Sequence, residues 1–445
     1  MRIFSGIANT KLKGCLRLVL TLVLFLQAGI AGSQQLLTPE DAVSLALQNS
    51  FGIMVARNNA DIARINNSLG GAGMMPSLTA NGSGNFAQNN VDLLLSNQSK
   101  IQSTHGQTTA KATGIALSWV LFDGGKMFIT KNKLEEIEAL GEMHFRDTIQ
   151  QTVYNVIVAY YNVVSQKQQL ASVNEAITYN KEQVNILQTS FDAGLVAKTS
   201  LLQAKIDLNV YQESAINQQY AIISAKRVLN QIMARDSDVD FDVIDSISTR
   251  YRPDRNQLLQ KLYTDNITML SAQKQVEIAR LSMKEFSAAR LPRINLSGGY
   301  NLSLVDNTAS NVLYNHSFGP SFGATLSLPI YQAGTIQRQV STAKLQMQSA
   351  SLNLENIKLR VGTQVQNALT QFDNQLELLA IEKENEALAK ENIEIAIQRL
   401  RLGQSNSLEV RQAEESFVNS HTRRISIEYN LKIAETRLKQ LVAGL

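Results

Sequence analysis

The chain has 445 residues, 44% hydrophobic but only 6% aromatic, with six prolines and one cysteine. Its formal net charge of +4 is carried by Arg2, Lys11, Lys13 and Arg17, so the remainder is neutral and its charge gives no argument for nucleic-acid binding. Beyond Cys15 the absence of cysteine excludes disulfide and thiol chemistry.

Residues 1–33 have the pattern of a secretory signal peptide. The four basic residues precede LVLTLVLFL (18–26), and AGIAGS (28–33) supplies small residues for cleavage. Nine apolar residues are too few for a membrane span, which needs about 20. Cys15 lies before the apolar run, where a lipid anchor would place its cysteine after it. No later segment has a transmembrane-helix pattern. The predicted mature chain is therefore periplasmic, secreted, or held in an outer membrane by a β-barrel.

Thr38-Pro39-Glu40-Asp41 predicts a capped helix start with Pro at the first helical position and acids in the first turn. A second helix is predicted over about 51–74. PSLTANGSGNF (76–86) begins a strand over about 76–88. Ile115, Leu117, Trp119 and Leu121 alternate within a second, about 108–122. From Gly125 a long helix follows, with Ile149, Val153, Val156, Tyr160 and Val163 at alternating spacings of 4 and 3. FDAGLVAKTS (191–200) interrupts it, and a return helix runs to about Ala234. Segment 235–264 is predicted to lie as a belt along the helices.

The same order then returns. TPEDAVSLALQNS (38–50) resembles RPDRNQLLQKLYTDN (252–266), DIAR (61–64) matches EIAR (277–280), and Pro76 matches Pro292. LSWVLFDGG (117–125) matches LSLPIYQAG (326–334), and Gln203-Ala204 matches Gln412-Ala413. Gly125 to Gly194 and Gly334 to Gly403 are both 69 residues apart. The shared order and spacing predict two copies of one unit, 34–250 and 251–445. In the second copy, strands are predicted over about 292–305 and 318–331. Leu296, Tyr300, Leu302, Phe318, Phe322 and Leu326 fall on one face, and Gly, Ser, Thr and Asn on the other.

A soluble hairpin also alternates, but polar faces without charge pairs and lengths near the ~9–11 residues of a membrane strand favour a barrel. Four strands cannot close a barrel, which needs about eight or more, so several chains must share it. Each long helix, at 1.5 Å per residue, spans about 100 Å and must project. Its seam in the second copy runs Ile336, Val340, Ala343, Met347, Ala350, Leu354, Ile357, Val361. Gly194 and Gly403 suit left-handed helix ends. Ser200 with Gln203, and Asn406 with Glu409, have capping-box spacing for the helices that follow.

With these features in place, the chain resembles the TolC-like outer-membrane efflux proteins over essentially its whole length after 33. The likeness rests on the repeat, on LFDGG (121–125) and PIYQAG (329–334), on AYYNVV (159–164), and on FDAGLVAKTSLLQA (191–204) with LRLGQSNSLEVRQA (400–413). The resemblance implies a mixed α+β membrane protein. Four strands per chain would enter a trimeric twelve-stranded barrel in the outer membrane of a Gram-negative bacterium, and long helical hairpins would form a periplasmic tunnel. It implies a passive conduit that exports small molecules such as drugs or toxic compounds, in contact with outer-membrane lipid. Its implied partners are a periplasmic adaptor and an inner-membrane pump of RND, ABC or MFS type, with no nucleic acid. Adaptor docking would fall to Phe191, Gly194, Leu195, Leu400, Leu402 and Gly403. Acidic side chains near the second tip often ring the closed pore in the family; the matching positions are Glu409 and Gln412, the latter not acidic.

No enzyme is predicted. His105, His144, His316 and His421 lack metal-ligand spacing, and neither a phosphate loop nor a nucleophile elbow is present. No cofactor is implied. Two alternatives stay open at this stage, a type I protein-secretion channel and a structural coiled-coil envelope protein without a pore.

Overall fold

The computed structural model describes residues 36–310 and 312–445. The predicted signal peptide, 1–33, lies outside them. The chain runs β1 (Leu36–Leu37), α1 (Pro39–Asn49), α2 (Phe51–Asn66), β2 (Ser77–Leu94), β3 (Lys100–Asp123), α3 (Lys126–Asp192), α4 (Lys198–Ile232), β4 (Asp242–Val243), α5 (Arg255–Asp265), α6 (Ile267–Ala288), β5 (Arg293–Asn307), β6 (Tyr314–Ser327), α7 (Thr335–Arg401) and α8 (Ser407–Leu441). Three pairs of matched helices have equal lengths: 11 residues for α1 and α5, 67 for α3 and α7, and 35 for α4 and α8. The described residues form two compact units, one of 36–50, 152–251 and 371–436, the other of 51–151, 252–310, 312–370 and 437–445. Each unit draws matching stretches from both copies.

The strand-bearing unit is built on an antiparallel sheet ordered β2-β3-β5-β6. Its register puts Leu78 beside Leu117, Ile115 beside Tyr300, Trp119 beside Leu296 and Leu302 beside Phe318. Side chains paired in this way share a face. The predicted apolar rows therefore continue across all four strands, and Phe322 is 89% exposed within them. The opposite face carries Ser83, Ser118, Ser297, Asn301 and Ser321. None of the α7 seam residues is exposed in this unit: Ala343, Ile357 and Val361 are buried and the rest half-buried. Leu345, Leu352 and Leu359, every seventh residue, form an exposed stripe on the same helix.

Several boundaries differ from the sequence expectation. Helix α2 stops at Asn66 rather than near 74, because 67–73 turns through a glycine-rich stretch in which Gly73 has φ +77°. Strands β2 and β3 run longer than predicted. The end of β2 (88–94) and the start of β3 (100–107) continue as a two-stranded ribbon beyond Thr108, the first β3 residue paired with β5. A register shift between Asn89 and Val91 hides that ribbon from period-2 reading, since it reverses which side chains alternate. At this shift Asn90 Oδ1 accepts the His105 N–H at 3.0 Å, and His105 has φ +71°. Strand β6 ends at Ser327 rather than 331. Its partner there is Arg293, the first residue of β5, and Pro329 has no N–H to extend the ladder.

In the other unit α1 opens as predicted: the Thr38 hydroxyl accepts the Asp41 N–H at 3.1 Å and the Asp41 carboxylate returns the capping box. One core gathers Leu37, Val156, Tyr160, Val163, Leu229, Met233, Phe241 and Val243. The Tyr160 hydroxyl donates to Leu37 O at 2.7 Å and accepts from Ile244 N at 3.2 Å. It thereby ties the parallel β1–β4 pair to α3. The first part of the predicted belt, from Phe241 to Ile247, lies on this core.

Candidate docking and gate region at the hairpin tips

Helices α3 and α7 end in the same way. Gly194 and Gly403 have φ of +76° and +70°. Gly194 N donates to Phe191 O at 2.9 Å and Leu195 N to Ser190 O at 2.8 Å; Gly403 N donates to Leu400 O at 3.1 Å and Gln404 N to Arg399 O at 2.9 Å. Each pair of bonds is a Schellman motif, which satisfies two carbonyls that a helix end would otherwise orphan. A Cβ at either glycine would meet nothing within 4 Å. The glycines are therefore demanded by backbone conformation alone.

The helix starts that follow differ from each other. The cap predicted at Ser200 is not formed. Helix α4 begins at Lys198 with Ala197 as N-cap and no side-chain bond. Ser200 lies inside the first turn, and Gln203 Nε2 reaches forward to Asp207 Oδ1 at 2.8 Å instead of back. The second start is as predicted in part. Asn406 Oδ1 accepts the Leu408 and Glu409 N–H groups, both at 3.0 Å. Glu409 does not close a capping box. Its carboxylate pairs with the Arg399 guanidinium and accepts the Ser405 hydroxyl at 2.7 Å. Arg399 also donates to Gln404 O at 3.2 Å, which stitches α7, the turn and α8 together.

Beneath both tips lies one apolar cluster: Leu187 of α3, Leu201 and Ala204 of α4, Ile393, Ala396, Ile397 and Leu400 of α7, and Val410, Ala413 and Phe417 of α8. It sorts the predicted docking residues. Leu195 and Leu402 are 78% and 69% exposed, whereas Leu400 is 6% exposed and Phe191 packs partly buried against the cluster. Leu400 is thus a core residue of the tip rather than a surface one. Gln412 is exposed.

Sequence reasoning missed the polar layer within this cluster. Glu414 is 1% exposed, flanked by Ala413 and Phe417, and bonded to the Asn180 amide. Gln183, also buried, donates to Ser407 O at 3.3 Å. Burial pushes the Glu414 carboxyl up to about 8; the Asn180 bond opposes it, and the nearby acids Asp207 and Glu415 add smaller upward pushes. Ion pairs link α3 to α7 at the rim, Glu175 with Lys390 at 3.0 Å and Glu182 with Arg401. Among the described residues no group of three or more His, Cys, Asp or Glu side chains could hold a metal ion, and no helix is long and apolar enough to cross a membrane.

The sequence model of the family described as "Outer membrane efflux protein" matches residues 42–235 and 258–444. The chain is 21% identical over 334 residues to the proteases secretion protein PrtF of Dickeya chrysanthemi, covering 73% of this chain and 70% of that protein. It is 21% identical over 247 residues to the outer membrane protein TolC of Escherichia coli K12, covering 53% of this chain and 50% of TolC. The solved outer-membrane channel OprN superposes with a TM-score of 0.77 at 16% identity, covering 92% of this chain and 90% of OprN.

Proposed function

This chain belongs to the outer membrane efflux protein family, and on that premise we propose that three copies form one passive conduit across the outer membrane. The sheet is the observation that carries this reading. Its end strands, β2 and β6, each pair on one side only among the described residues, and one face exposes large apolar side chains. An apolar face suits lipid, but an open edge in lipid leaves backbone groups unsatisfied at several kcal/mol each. Joining β2 of one copy to β6 of the next removes every edge, and three copies give a barrel of twelve strands. Exposed Ile381, Leu388 and Ile395, every seventh residue of α7, provide a face for a neighbouring copy along the helical part.

In this reading a periplasmic adaptor docks on Leu195 and Leu402. Gly194 and Gly403 shape that surface, while Phe191 and Leu400 support it from below. Glu409 and Gln412 line the closing end of the conduit. An inner-membrane pump supplies the free energy, and the cargo is small molecules. Cysteine pairs with one member on β2 and one on β6 should link copies into covalent trimers. The purified protein should give discrete conductance steps in planar bilayers. Trimers without conductance, even with Glu409 neutralised, would overturn the conduit in favour of a structural coiled-coil protein.

A second reading rests on PrtF, which is named a proteases secretion protein. There the same conduit passes a polypeptide delivered by a dedicated pump. Complementation of a strain lacking its own channel separates the two: resistance to toxic compounds supports efflux, and release of a secreted protease supports secretion.

A further inference from the structure

Glu414 has the geometry of a carboxyl that cannot ionise in place. It sits inside the apolar cluster of the tips, 1% exposed. Among the described residues its side-chain partner is Asn180 of α3, which donates through Nδ2 both to Glu414 and to Ala176 O, the latter at 3.0 Å. Asn180 Oδ1 is buried with no partner among the described residues. A carboxylate would add a second acceptor to a place already short of a donor, whereas a neutral carboxyl brings an O–H.

Among the described residues no cation acts on Glu414. From α4 the groups facing Glu414 are Asp207 and Tyr211, and from α8 Glu415. Arg411, one turn earlier on α8, pairs with Glu415 at 3.9 Å. Buried neighbours from α7 in the cluster are aliphatic, Ile393, Ala396, Ile397 and Leu400. From α3 come the neutral amides of Asn180 and Gln183. Tyr211 responds in the same sense: burial first, and Glu414 next, hold its phenol above the usual range. Isolated charge in such a site is costly enough that the group takes up a proton instead.

We propose that Glu414 is a proton-binding site that holds α8 against α3 just above the hairpin tips, so that releasing its proton loosens the tip. The site lies seven residues into α8 from Ser407, about 10 Å along the helix at 1.5 Å per residue. It is therefore within reach of the turn it would loosen. The inference stands on packing inside one unit and does not depend on reading the chain as a conduit.

The direction with pH follows from linkage. Below the ordinary carboxyl value of 4.5 both the packed and the separated tip bind the proton, and packing is fully stable. Between 4.5 and about 8 the separated state has released it while the packed state keeps it, so packing weakens as pH rises and levels off above about 8.

The test uses the purified full chain, titrated from about pH 6 to about pH 10. Infrared difference spectra between wild type and Glu414→Gln should show a protonated-carboxyl band at neutral pH that disappears with a midpoint near 8. Over the same interval amides of 176–194 and 407–417 should lose hydrogen-exchange protection, after correction for intrinsic rates, in the wild type but not in Glu414→Gln. Asp207→Asn should move the midpoint down. Absence of the neutral-pH acid band, or an identical loss of protection in Glu414→Gln, would overturn the proposal. If Glu414→Gln does not assemble, the wild-type band and the Asp207→Asn shift decide alone, and a midpoint unmoved in Asp207→Asn counts against it.

Discussion

The two hairpin tips make the same turn by different means. At the first, backbone geometry does the whole job: a glycine at φ +76°, two Schellman bonds, and a helix start at Ala197 without a side-chain cap. The second has the same glycine and the same pair of bonds. It then adds the Asn406 cap, the Arg399–Glu409 pair and the Ser405 hydroxyl. Because the first tip turns without these additions, they are not needed for turning. They fix how α8 leaves the turn, on the tip next to the buried Glu414.

The largest effect should fall equally on both. Gly194→Pro and Gly403→Pro force φ toward about −65° and delete the N–H that donates to the helix, at a cost of about 3 kcal/mol or more. Hydrogen-exchange protection should collapse at the altered tip, adaptor binding should be lost, and trimers should persist. Normal export with both variants would remove the tips from function. Gly194→Ala and Gly403→Ala should cost about 1–2 kcal/mol each through the left-handed backbone alone, since the added Cβ meets nothing. Unequal costs at the two sites would mean that the tips do not share one turn.

The next prediction separates them. Asn406→Ala removes a formed cap and should cost about 1 kcal/mol, whereas Ser200→Ala removes none and should stay within about 0.5 kcal/mol. Both are read from the exchange of first-turn amides in α8 and α4. This contrast also marks how far sequence carried. The repeat, the 69-residue spacings and the glycine ends are one-dimensional signals, and the paired helices of 67 and 35 residues match them. Alternation likewise located all four long strands. A cap is harder to place, because Ser200 and Asn406 have equal spacing to an acceptable partner and only local dihedrals decide which one forms. The ribbon beyond Thr108 was illegible because a single bulged residue inverts its alternation. Glu414 was missed for another reason: Val410 and Phe417 place it on the apolar face of α8, a signal the sequence carries, but a carboxyl there is buried only once α3 and α4 close over it.

The smallest effect concerns Arg399 and Glu409. Both side chains keep substantial exposure, 47% and 39%, so water screens them and the pair contributes about 0.2–1 kcal/mol. Arg399→Ala should therefore barely change tip protection, and the change should shrink further as salt rises. Its consequence for charge is larger than for stability. In the wild type the guanidinium offsets the carboxylate that would line the closing end, and Gln412 adds no charge. Removing Arg399 uncovers one carboxylate per copy, and three of them near one axis should attract cations. Single-channel recording should show cation selectivity rising in Arg399→Ala and returning to the wild-type value in Arg399→Ala with Glu409→Gln. Selectivity unchanged in the single variant would place Glu409 away from the conduit and leave the stitch at the second tip a purely local device.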